Sequence, residues 1–124
     1  MDTDVLMFFD RMPQALPLYE AFVTKLLSEL DNVTIKIQKT QISFSNKYNF
    51  AFVSLPIRKM KSRPNVYIIV SFGLGYQVED QRIEVATEPY PNRWTHHIIV
   101  QKESEMDDQL MGWLKQAYAF SLYK

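Results

Sequence analysis

Two stretches, "FAFVSLP" at 50–56 and "VYIIVSF" at 66–72, constrain the fold more than any other feature of this chain. Each is rich in β-branched and aromatic residues, and each is apolar at both odd and even positions. Successive strand residues point to opposite faces, so a strand built from either stretch presents apolar side chains to both sides of its sheet. Such a sheet needs cover on both faces. A face left open would show an apolar patch large enough to mark an interface.

The flanking periodicities say what can supply the cover. In "PLYEAFVTKLLSELDN", Leu18, Phe22, Leu26 and Leu30 recur every four residues, which predicts an amphipathic helix beginning at Pro13 or Pro17. A shorter helix, "VLMFFDRM", precedes it and ends at Pro13. From Val33 the period becomes two: Val33, Ile35 and Ile37, then Ile42 and Phe44. The change of parity between Ile37 and Ile42 predicts a turn or bulge near Lys39–Thr40. "SNKYN" predicts a second turn, "RIEVAT" a strand with Ile83 and Val85 inward, "EPYPNR" a turn, and "WTHHIIVQ" a last strand. The C-terminal "SEMDDQLMGWLKQAYAFSLYK" predicts a long helix with Ser104 as N-cap, acids in its first turn and Gly112 at a close packing contact. The expected architecture is α+β and two-layered. It is an antiparallel meander of five to six strands covered by N-terminal helices and a long C-terminal helix, in one domain over 1–124.

Composition excludes several chemistries. The chain has no cysteine, so disulfides, thiolate nucleophiles and cysteine-based zinc sites are ruled out. No apolar run approaches the roughly 18 residues of a membrane span, and the start lacks the basic n-region of a signal peptide. A cytoplasmic location, with no membrane partner, is the expectation. Net charge is zero, yet residues 32–78 hold seven bases and no acid, between acidic ends. Those bases are Lys36, Lys39, Lys47, Arg58, Lys59, Lys61 and Arg63.

The adjacent His96 and His97 invite a metal or acid–base reading, which strand geometry opposes. Alternation sends them to opposite faces, His96 with Trp94, Ile98 and Val100, and His97 with Thr95 and Ile99. His96 is therefore expected in the core and His97 half exposed. No further histidine or cysteine exists to complete a zinc site, so neither metal nor cofactor is expected. A nucleophile elbow, a Walker loop and a dinucleotide fingerprint are all absent, and no catalytic residue is assigned.

The function this pattern favours is a non-catalytic binding module for an anionic ligand, nucleic acid or a phosphorylated metabolite. The basic segment interleaves its charges with Phe44, Tyr48, Phe50 and Tyr67, a combination suited to single strands. The candidate ligand-binding residues are Lys36, Lys39, Lys47, Arg58, Lys59, Lys61, Arg63, Arg93, Trp94, His96 and His97. Two alternatives come from other classes. One is a small-molecule pocket between sheet and helices, anchored by Arg93 and His96 and walled by Trp94, Tyr67 and Met60. The other is a homodimer closing the second sheet face.

The blocks "LYEAF", "KTQISFSNKYNFAFVSLP", "PYPNRWTHHIIV" and "GWLKQAYAFS" carry a resemblance. Over nearly the whole chain, from about Phe8 to Phe120, it resembles a bacterial family, the domain of unknown function numbered 5655. The resemblance implies no activity and transfers no catalytic residue. It draws attention to Lys39, Thr40, Phe44, Arg93, Trp94, His96 and His97 without assigning them roles.

Overall fold

Alternation of apolar residues, broken by short polar turns, builds one open sheet of six antiparallel strands. The structure is a computed structural model and describes residues 3–57 and 63–123. The strands are β1 (Thr34–Ile37), β2 (Ile42–Ser45), β3 (Asn49–Ser54), β4 (Ile68–Leu74), β5 (Ile83–Tyr90) and β6 (Arg93–Val100). The helices are α1 (Thr3–Phe8), α2 (Leu16–Glu29) and α3 (Asp108–Ser121). The parity change expected near Lys39–Thr40 is a tight turn: Ile37 pairs with Ile42, and the Gln38 N–H donates to the Gln41 carbonyl at 2.9 Å.

The spatial order is β1-β2-β3-β4-β6-β5, so the meander holds through β4 and then changes. Residues 75–82 carry the chain past the place of β6 to the sheet edge, and β6 returns between β4 and β5. This edge placement explains why "EPY" is strand rather than turn. An edge strand tolerates Pro89, whose missing N–H costs no ladder bond on the open side. The turn shrinks to Pro91–Asn92, with Asn92 in the left-handed region at φ 60°. A register shift between Ile83 and Val85 corrects a second expectation. Ile83 pairs with Ile98 on the core face, whereas Val85 pairs with His97 and is 46% exposed.

Cross-strand pairs share a face, so the register sorts the side chains. One face carries Ile42, Phe44, Ala51, Val53, Ile68, Val70, Phe72, Leu74, Ile98 and Val100, all buried. Phe22 and Leu26 of α2 and Leu110, Met111, Trp113, Leu114 and Ala117 of α3 belong to the same core. The long C-terminal helix starts one turn later than Ser104. Its N-cap is Asp107, whose carboxylate accepts the Leu110 N–H at 3.0 Å. Arg82 fixes that cap, donating to Asp107 Oδ1 at 2.8 Å and to the Glu105 carbonyl at 2.7 Å. Burial pushes the Asp107 carboxyl up, but the Leu110 N–H and the Arg82 guanidinium outweigh it and hold it below the usual value. Gly112 is not at a close contact, since nothing lies within 4 Å of where its Cβ would sit.

His96 sits in this core. Its ring stacks on Phe72 at 5.1 Å, Phe72 stacks on Trp113 at 5.7 Å, and Arg82 lies over Trp113 at 5.8 Å. Nε2 accepts the Val78 N–H at 2.9 Å, which ties the 75–82 connection to the sheet. That bond needs the Nε2 lone pair, so the folded ring is neutral with its proton on Nδ1, a buried nitrogen with no hydrogen bond of good geometry. Burial pushes the His96 pKa down, a backbone interaction with Phe72 opposes this, and His97 adds to the lowering. Because the folded value is depressed, the associated stability is complete above the unfolded pKa of about 6.5 and is lost as pH falls through the folded value. The melting temperature should therefore drop between pH 7 and pH 5. His96→Met should melt lower at pH 7, from the loss of about 1–3 kcal/mol at the orphaned Val78 N–H, and should show a shallower acid slope. Thermal melts by circular dichroism test this, and a wild-type melting point unchanged from pH 7 to pH 5 would refute it.

Candidate functional site

The opposite sheet face is partly apolar by the same alternation. Phe52, Ser54, Ile69, Ser71, Thr95, His97 and Ile99 project there. At one end of this face lies a half-open cavity of about 800 Å³. Its floor is sheet, with Ser54 from β3, Ile69 from β4, His97 and Ile99 from β6 and Val85 from β5. Its walls come from segments far apart in sequence: Phe8 at the end of α1 and Arg11 just beyond it, Lys39–Gln41 in the β1–β2 turn, Leu55–Ile57 after β3, and Arg63 before β4. Ile57 and Arg63 are the described residues on either side of 58–62. Arg11 also donates to the Leu55 carbonyl at 3.2 Å, which fixes the chain beyond α1 to the strand end.

The electrostatics of this cavity are one-sided. Among the described residues, Arg11, Lys39 and Arg63 line it against a single carboxylate, Glu84. Most of the remaining lining is apolar, so a ligand here meets apolar surface together with three cationic side chains. A volume of this size falls within the range of small-molecule sites.

His97 is the titratable group of the floor. Its Nδ1 lies 2.6 Å from Ser71 Oγ, a contact created by the register that sets the two residues opposite each other on β4 and β6. Burial pushes the His97 pKa below the ordinary value. Ser71 is buried and does not line the cavity, so its hydroxyl orients the imidazole rather than facing a substrate.

The residues expected from sequence to bind ligand divide between different places. His96 and His97 lie on opposite faces, His96 buried and His97 half-buried, as alternation requires. Lys39, Arg63 and His97 line the cavity. Lys36 is exposed on the outer face of β1, with Ser43 opposite. Lys47 and Arg93 are exposed at the other end of the sheet, and Lys47 stacks over Tyr48 at 5.7 Å. The length of β6 alone separates the two ends by roughly 20 Å. Trp94 belongs to the core face of β6, opposite Leu74. Arg58, Lys59, Lys61 and Met60 lie outside the described residues. The described bases therefore form no single patch, and of the pair expected to anchor a pocket between sheet and helices, Arg93 is exposed and His96 buried. Of the expected stacking aromatics, Phe44, Phe50 and Tyr67 are buried, leaving Tyr48 exposed.

Sequence reasoning missed Arg11, Ile69, Ser71, Glu84, Val85 and Ile99. The parity of Ile69 with Ser71, and of His97 with Ile99, was legible. That β4 and β6 are neighbours was not. Among the described residues no group of three or more histidine or carboxylate side chains could hold a metal ion, and no helix is long and apolar enough to cross a membrane.

The model of one protein family, described as Domain of unknown function (DUF5655), matches residues 7–121. No curated protein and no solved structure matches the chain.

Proposed function

The chain belongs to the DUF5655 family, and from that premise we propose that it is a non-catalytic binding module for a small anion with an apolar body. The class is a phosphate monoester or carboxylate carrying an aliphatic or ring portion. The observation that carries this reading is the charge imbalance around an apolar floor: Arg11, Lys39 and Arg63 against Glu84, over Ile69, Val85 and Ile99. An apolar body gains by leaving water, and the cations at the rim give the head group orientation and specificity.

Burial of Phe44, Phe50 and Tyr67 favours the small anion over a nucleic-acid strand, which needs exposed rings to stack on. A second copy of the chain covering this face is the competing occupant. Calorimetric titration at low salt with decyl phosphate, decanol and a single-stranded oligonucleotide separates the readings, with sedimentation run alongside. Decyl phosphate is expected to bind at roughly 10–100 μM, about −5.5 to −7 kcal/mol for a ligand of this size. Decanol should bind at least about tenfold more weakly, since it lacks the charge worth roughly 1.4 kcal/mol at the rim. Equal affinity for both, tighter binding of the oligonucleotide, or a stable dimer that excludes decyl phosphate would each overturn the proposal.

A further inference from the structure

The floor of the cavity contains a ring nitrogen that no described residue hydrogen-bonds. His97 Nδ1 is engaged by Ser71 Oγ at 2.6 Å, and Nε2 has no hydrogen bond to any described residue. The ring lines the cavity between aliphatic neighbours, within the space whose rim carries the cations. We propose that His97 is the residue that selects the ligand's head group, and that an anion enters this cavity together with one proton taken up by the imidazole. The inference rests on the reading of the cavity as an anion site and adds to it the residue that recognises charge.

The chemistry follows from the Ser71–His97 contact. A serine hydroxyl both donates and accepts. We assign the neutral ring the Nε2–H tautomer, in which Ser71 donates to Nδ1 and the Nε2–H is a free donor of the floor. When the ring gains a proton from solvent, it binds at Nδ1 and the Ser71 hydroxyl turns to accept it. Nε2–H remains a donor in both states, now on a cation. Ser71 is thus a positioning residue, and protonation strengthens the donor without moving it.

The surrounding charges set the sign of the coupling. Lys39 from the β1–β2 turn, Arg63 from the segment before β4, and Arg11 from the segment after α1 are the cations that line the empty cavity among the described residues. Glu84 on β5 is the opposing carboxylate, and the cavity-lining residue of β3, Ser54, is uncharged. His96, the neighbour on β6, faces the core. Burial pushes the His97 pKa down and so favours the neutral ring in the empty cavity. A bound anion pairs with the imidazole and offsets the positive charge of the lining, and this attraction outweighs the burial that the ligand does not relieve, so the ring takes up a proton.

Decanesulfonate is the probe, because its head group does not titrate near neutrality and any proton change belongs to the protein. Calorimetry at pH 7 in two buffers of different ionisation enthalpy should show net proton uptake on binding. Affinity should tighten as pH falls from 8 to 6, by at most about tenfold per pH unit for one linked proton. His97→Gln keeps a side-chain donor and should bind without proton uptake and with a flat pH profile. Binding of decanesulfonate by the wild-type chain without proton uptake, or uptake that persists in His97→Gln, overturns the role of His97 and leaves the cavity reading standing. Failure of decanesulfonate to bind at any of these pH values overturns both. The two-buffer measurement needs only the wild-type protein, so a poorly folding variant does not remove the test.

Discussion

Phe72→Ala should cost about 3–5 kcal/mol, in the range of the most damaging single substitutions in a domain core. Phe72 is fully buried at the centre of β4, opposite Ala51 on β3 and His96 on β6. Its ring is the middle layer of the His96–Phe72–Trp113 stack. Truncation removes apolar contact on both sides and leaves His96 beside a void, in a rigid sheet that cannot close the gap. Domains of this size are stable by roughly 5–15 kcal/mol, so the variant should unfold at much lower urea or fail to fold at 37 °C. Val85→Ala, on an edge strand and largely exposed, should change the urea midpoint little. A Phe72→Ala loss below about 1 kcal/mol would mean that the stack is not the centre of the core.

Reversing charge at the cavity should have the largest effect on binding. The double variant Lys39→Glu/Arg63→Glu should weaken decyl phosphate about 30-fold, from roughly 1 kcal/mol lost per reversed charge at a partly solvated rim. Folding should be affected little, because Lys39 is exposed and Arg63 only half-buried, and solvated charges contribute little to stability. The control is Lys47→Glu/Arg93→Glu at the other end of the sheet, which makes the same change in net charge. At that distance the charges are screened by salt, and the effect on affinity should be within about twofold. Comparable losses in the two variants would return the function to a diffuse basic surface.

How much of this was legible follows from what each signal encodes. Period-two patterns encode which face a residue takes, so the opposite fates of His96 and His97 and the turn at Lys39–Thr40 could be read directly. Nothing in a local pattern states which strands are neighbours. The insertion of β6 between β4 and β5 was therefore invisible, and with it the Ser71–His97 contact between residues 26 apart in sequence. The bulge that turns Val85 outward was missed because Ile83 and Val85 look equivalent in a strict alternation. The start of α3 was misread because acids occur at 103, 105, 107 and 108, and several of these positions suit a first turn. Asp107 is the cap because Arg82, carried there by the 75–82 connection, fixes its carboxylate. The basic run over 32–78 was correct as composition. Folding places Lys39 and Arg63 at one end of the sheet and Lys47 at the other, since strand direction reverses at every turn.

Amide chemical-shift mapping of the isotope-labelled protein during titration with decyl phosphate is the most direct test of the cavity as an anion site. The perturbed amides should be those of Ser54, Leu55, Ile69, Val85, His97 and Ile99, with saturation at one ligand per chain. Shifts confined to the Asn46–Tyr48 turn or to α3, or a spectrum unchanged at millimolar ligand, would contradict it.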